Sequence, residues 1–151
     1  MKETILRLKP PVMAALYLLG AWMLQKLFPG FQTAKSPWGA VLAAAAGMGL
    51  ILWAWRLFKR RDNPICPTEK PRVMIGEGPY RALRNPMYLG IVLILTAAAF
   101  ATGWGFAWFV PLCFFATVDR VFIPHEESNL EAAFGSAFLD YKKKIKRWGI
   151  F

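Results

Sequence analysis

The sequence predicts an all-α integral membrane protein with four transmembrane helices, a cytoplasmic loop and a C-terminal interfacial helix, and three observations lead there. Of 151 residues, 56% are hydrophobic, and the mean hydropathy is +0.35, above what a soluble domain of this length carries. The apolar segments are unbroken runs without the period-two alternation of a barrel strand, and in hydrocarbon only helices and closed barrels satisfy their backbone groups. The basic residues behind the net charge of +10 stand at the ends of those runs, as on the cytoplasmic flanks of membrane helices. That placement argues for membrane lipids and against nucleic acid as the partner.

The first span covers about residues 10–28, close to the roughly 20 residues that cross about 30 Å of hydrocarbon. Lys2, Arg7 and Lys9 precede it, but no small-x-small cleavage site follows, so it is expected to stay as an anchor. The second span covers about residues 37–58 and contains Gly47-Met48-Gly49, small residues that in a membrane helix usually mark close helix packing. From Met87 to Val118 there is no charged residue, and as one helix this stretch would be roughly 48 Å long, too long for one crossing. Gly103-Trp104-Gly105 supplies a break, giving a hairpin of spans over 86–102 and 105–123, with Trp104 and Trp108 suited to the membrane boundary. Cytoplasmic helices over 125–148 complete a single domain in which no internal repeat or low-complexity tract is visible.

The loop charges set the orientation. Lys59, Arg60, Arg61, Lys70, Arg72, Arg81 and Arg84 lie between spans two and three, and Lys142, Lys143, Lys144, Lys146 and Arg147 close the chain. The opposite side carries only Lys26 and Lys35. Both termini and the loop over 62–85 are therefore expected on the cytoplasmic side, in the inner membrane of a bacterium or archaeon. Cys66 and Cys113 read as reduced thiols, one in a basic loop and one inside an apolar run.

Two polar clusters can carry chemistry. The loop contains Pro64, Pro67, Pro71, Gly76, Gly78 and Pro79, which exclude one regular helix, and it ends on Asn85-Pro86. Asn at the cap and Pro at the first position announce a helix, whose free N–H groups with Arg81 and Arg84 would form an anion site. Plain capping and lipid-headgroup contacts by the arginines explain the same spacing. In the second cluster, Pro124 is expected to start a helix and Gly135 to end it, which puts Glu126 and Glu127 in the favourable field of a helix N-terminus. One of these carboxylates can also hold the hydroxyls or amino group of a nucleotide-like cofactor. His125 has no Cys or second His nearby, so no metal is expected. The stretch Tyr141 to Trp148 reads as an interfacial helix on anionic lipid.

These residues resemble the membrane methyltransferases that include isoprenylcysteine carboxyl methyltransferase and the phospholipid N-methyltransferases. Gly78-Pro79-Tyr80-Arg81 and Arg84-Asn85-Pro86-Met87-Tyr88-Leu89-Gly90 are similar to one family signature; Glu126-Glu127, Leu130, Phe134-Gly135, Tyr141 and Arg147-Trp148 are similar to another. The resemblance implies S-adenosylmethionine as methyl donor, with Tyr80, Arg84, Asn85, Pro86, Tyr88, Gly90, His125, Glu126, Glu127 and Leu130 as cofactor contacts. Beside the resemblance, the chemistry of methyl transfer makes Arg81, Arg84 and Glu127 the candidate catalytic residues, the arginines orienting a carboxylate acceptor or the glutamate taking a proton from an amine. Asn85 stands where the carboxyl methyltransferases usually have His, and Phe138 where a tyrosine often follows Phe-Gly. The first departure bears on an isoprenylcysteine substrate more than on the cofactor.

The expected function is methyl transfer to a lipophilic small molecule or lipid, either an isoprenylcysteine-like carboxylate or a phospholipid amine. Two other readings stay open: an NADPH-dependent enzyme like the sterol reductases, whose pattern favours Asp-Asp where this chain has Glu126-Glu127, and a non-catalytic membrane adaptor. The sequence leaves the acceptor, the pathway and the oligomeric state open.

Overall fold

A computed structural model describes residues 8–64 and 72–149. Lys2, Arg7, Cys66, Pro67, Lys70 and Pro71, used above, lie outside the described residues. Within them the fold is helical, without a strand beyond one isolated bridge between Gln32 and Trp104.

Helix α1 spans Pro10–Leu27 and opens on two prolines, whose missing N–H groups cost nothing in the first turn. Helix α2 spans Pro37–Arg60; Ser36 caps it by accepting from the Gly39 N–H at 3.1 Å, and Pro37 follows at the first position. The loop over 62–85 contains, among its described residues, one 3₁₀ turn, Gly78–Arg81. Helix α3, Pro86–Thr102, ends on Gly103 at φ 66°, the left-handed conformation that glycine adopts without strain. That glycine turns the chain into the hairpin expected from Gly-Trp-Gly. The turn is laced to the α1–α2 connection, with Thr33 N donating to Gly103 O at 2.7 Å and Gly105 N to Phe31 O at 3.0 Å.

The chain after the turn departs from expectation. A fourth span ending near 123 and a new helix starting at Pro124 were expected. Instead the path from Gly105 to Phe134 is one continuous helical rod of 30 residues. It comprises a 3₁₀ turn, helix α4 (Phe109–Thr117), a π turn (Val118–Phe122) and helix α5 (Ile123–Phe134). Pro124 has no N–H to give and its ring crowds the carbonyl four residues back. The π turn, in which the Ile123 N–H bonds to Val118 O five residues earlier, widens the rod where that crowding falls. Glu126 and Glu127 consequently stand inside a long helix rather than at a free N-terminus, and dipole capping does not explain them. Gly135, at φ 54°, ends the rod, and helix α6 covers Ser136–Lys144. The expected interfacial helix through Trp148 stops at Lys144, and Trp148 is buried against the core.

Helix α3 lies between α2 and α4, and α1 packs on α4. Close approach of α2 and α3 rests on Gly47 and Gly90: a Cβ on Gly47 would lie 2.6 Å from Gly90 O, and one on Gly90 would lie 2.7 Å from Gly47 O. Met13, Tyr88, Leu95, Phe114 and Phe122 form the main core, and Ala54, Leu57, Ile75 and Tyr80 a second one at the loop end. Outward, α2 exposes Trp38, Val41, Leu42 and Trp53, an apolar face that water would not tolerate at this extent. Two helices are long and apolar enough to cross a membrane, Pro37–Arg60 and Gly105–Phe134. Helices α1 and α3, at 18 and 17 residues, are about 26 Å long, just under one hydrocarbon thickness.

Candidate active site

The loop end of the bundle holds a cavity of about 470 Å³, within the range of small-ligand sites. One wall is apolar, from Phe58 at the end of α2, Ile75 of the loop, Met87 and Ile91 of α3, Leu130 of α5 and Phe138 of α6. The other wall is polar and comes from both sequence clusters.

The first cluster contributes through the 3₁₀ turn and the start of α3. Tyr80 is buried in the turn, its ring 5.9 Å from that of Phe58, and its carbonyl accepts from the Tyr141 hydroxyl at 2.7 Å. Burial, then the Glu126 charge, holds the Tyr80 hydroxyl well above its ordinary pKa, so it stays protonated. Burial, then the nearby Arg84, acts in opposite senses on Tyr141, and burial prevails, raising it to about 12. Asn85 occupies the cap position, yet its side chain makes no capping bond, and its buried Nδ2 has no partner. Tyr88, one turn into α3, donates from its hydroxyl to Glu126 Oε1.

The second cluster splits in two, because adjacent residues on a helix point about 100° apart. Glu126 turns to the cavity and Tyr88. Glu127 turns to the C-terminal segment, where Arg147 grips both oxygens, Nε to Oε1 at 2.9 Å and Nη2 to Oε2 at 3.0 Å. Lys142 Nζ lies 3.1 Å from Oε2, and Arg84 Nη1 2.7 Å from Oε1. The Arg84 contact is a close approach of charges rather than an aligned hydrogen bond, since neither Nη1 nor Nε of this buried guanidinium finds an acceptor in line. Burial lowers the pKa of Arg84 while Glu127 opposes the shift; the hydrogen bonds that Arg147 donates to Glu127 raise its own.

Of the site residues expected from the sequence, Tyr80, Arg84, Asn85, Tyr88, Glu126, Glu127 and Leu130 line the cavity. Pro86, Gly90, His125 and Arg81 do not. Pro86 is buried as the first residue of α3, and Gly90 faces Gly47 in the α2–α3 contact, so both shape the scaffold. His125 sits one turn from Asn129, with its Nε2 3.4 Å from Nδ2, and Arg81 is exposed on the turn. Sequence reasoning assigned no site role to Phe58, Ile75, Phe138 or Asn129, which reach the cavity from four separate elements. A tyrosine in the second signature, Tyr141, was the available signal for α6 as a wall.

A family model described as phospholipid methyltransferase matches residues 36–137. That range contains both polar clusters and the hairpin between them, and stops before Arg147. An uncharacterized protein of Haemophilus influenzae is 37% identical over 62 residues, which is 41% of this chain and 98% of that protein. No solved structure matches the chain.

Proposed function

Because the chain belongs to the phospholipid methyltransferase family, we propose that it transfers a methyl group from S-adenosylmethionine to a lipophilic acceptor at the cytoplasmic membrane face. The observation that carries this reading is the polar wall of the cavity. Arg84 and Asn85 line the same cavity as the Glu126 carboxylate, and the buried Arg84 Nε and Asn85 Nδ2 make no hydrogen bond to protein. Buried donors left unmade are costly, so a ligand with acceptors is the natural complement. The residues suit the methyl donor on these grounds: Arg84 and Asn85 would hold its carboxylate or hydroxyls, and Glu126 its ammonium. Aromatic rings of Tyr80, Tyr88 and Tyr141 beside a carboxylate favour a cation.

Bound S-adenosylmethionine supplies an electrophilic methyl group on a sulfonium. What remains for the protein is to align the acceptor, exclude water and accept a proton. The apolar wall, built from the membrane helices and α6, suits the hydrocarbon part of the acceptor. A phospholipid amine is the acceptor we favour, because Glu126, held by the Tyr88 hydroxyl, can take the proton the amine releases. An isoprenylcysteine-like carboxylate remains the second reading, favoured by the Arg84 guanidinium on the cavity wall. In both, four helices cross the membrane, with α1 and α3 as short spans, and the termini, the loop and the cavity face the cytoplasm.

Thermal unfolding of detergent-solubilised protein tests the donor. S-adenosylhomocysteine at about a hundred times its dissociation constant adds about 2.7 kcal/mol of stability, a shift of several degrees. Stabilisation by NADPH instead would point to a reductase, and stabilisation by neither would leave an adaptor. Transfer of labelled methyl from the donor to ethanolamine phospholipid, against an isoprenylcysteine, then separates the two acceptors.

A further inference from the structure

We propose that Arg147 is a positioning residue of this site: by taking both oxygens of Glu127, it keeps the buried Arg84 guanidinium open toward the cavity for an anionic group of the ligand. The inference rests on the methyltransferase reading and adds a residue beyond the stretch the family model matches.

A carboxylate has two oxygens, and a guanidinium fork fills both. Arg147 does so at 2.9 and 3.0 Å, which leaves Arg84 beside Oε1 at 2.7 Å but without an aligned bond. Arg84 is therefore neutralised by Glu127 through one close approach, with no aligned hydrogen bond at Nε or Nη1, in a side chain only 11% exposed. Without the Arg147 fork, the nearest cation with matching geometry is Arg84 itself, and Glu127 would close on it and fill the donors the ligand needs. Lys142 does not substitute, being a single ammonium at one oxygen and 39% exposed.

Arg147 is itself held from the side away from the cavity. Asp119, in the π turn, lies 3.4 Å from Arg147 Nη1 and accepts from Trp148 Nε1 at 3.0 Å. The Trp148 ring packs 4.6 Å from Phe115, and Arg84 N donates to Lys146 O at 3.0 Å, so the tail is pinned to the rod and to the loop. Arg147 and Trp148 do not line the cavity, so any effect of Arg147 on ligand affinity acts through Glu127 and Arg84.

A purely structural Arg147 would only neutralise Glu127, and Lys would then serve. Calorimetric titration of S-adenosylhomocysteine into the full chain, with melting temperatures taken in parallel, separates the two. Under the positioning role, Arg147→Lys and Arg147→Gln each bind about tenfold more weakly. Adding Glu127→Gln to Arg147→Gln removes the carboxylate that closes on Arg84 and recovers at least about threefold in affinity. Wild-type affinity in Arg147→Lys, or a double variant weaker than Arg147→Gln alone, overturns the role. Should Arg147→Gln not fold, Arg147→Lys, which keeps the charge, decides by itself. A wild-type protein with no affinity for S-adenosylhomocysteine overturns the methyltransferase reading and this one with it; wild-type binding with an indifferent Arg147→Lys overturns this one alone.

Discussion

Glu126 and Glu127 are neighbours in sequence, and their surroundings give them opposite work. Glu126 meets one tyrosine hydroxyl and the cavity, whereas Glu127 is enclosed by Arg84, Lys142 and Arg147. Neutralising Glu126 removes an acceptor that a ligand ammonium or hydroxyl would use, worth roughly 1.5–3 kcal/mol of binding, or about tenfold and more in dissociation constant. Glu126→Gln is therefore expected to fold with a near-native melting temperature and to bind S-adenosylhomocysteine at least about tenfold more weakly in calorimetry. Glu127→Gln leaves three cations facing one another, with the carboxylate side chain 8% and that of Arg84 11% exposed. Removing one partner of a buried ion pair costs about 3–5 kcal/mol, and contact of Lys142 and Arg147 with water brings this toward about 2–3. Its expected signature is a melting temperature lower by several degrees with donor affinity kept within about threefold, since Arg84 loses a competitor. The sequence placed the pair in one site but not in two roles: the split depends on Arg147, twenty residues away, a contact that local spacing does not encode.

At the scale of elements, the legible features were those with local causes. Gly103 ends α3 because the hairpin needs a left-handed residue there, and Pro37 and Asn85-Pro86 each begin a helix. Pro124 misled for an equally local reason: a proline usually marks a helix start, and only the packed rod around it makes a π turn the better solution. Asn85 was legible as a position and not as a side chain, since the amide makes no bond to the backbone it was expected to cap. The glycines of α2 give a prediction of the same kind. Gly47 faces Gly90 with no room for a Cβ, while Gly49, two residues on, has nothing within 4 Å. Gly47→Ala must push α3 away from α2 and is expected to cost about 1–3 kcal/mol, seen as a lower melting temperature. Gly49→Ala is expected to be neutral or slightly stabilising, as alanine is the better helix former. Equal melting temperatures for the two variants would remove the glycine contact from the packing of the bundle.

For the molecule as a whole, charge and structure bear together on which end faces the cytoplasm. The cavity end gathers Arg60 and Arg61, Arg81, Arg84 and the lysines of α6, whereas the opposite end, where the α1–α2 connection is laced to Gly103, carries Lys26 and Lys35. Basic residues close to the ends of spans set orientation, and the count favours the cavity end as cytoplasmic. That assignment also fits a water-soluble methyl donor made inside the cell meeting an acceptor from the bilayer. Lys144 at the end of α6 and Lys35 before α2 are both exposed and lie at opposite ends of the bundle. In a background lacking Cys66 and Cys113, a membrane-impermeant thiol reagent applied to intact cells is expected to label Lys35→Cys and to spare Lys144→Cys until the cells are opened. Labelling of Lys144→Cys in intact cells would invert the topology. It would also place the cavity outside, where no methyl donor is supplied, so the orientation and the proposed chemistry stand or fall on the same measurement.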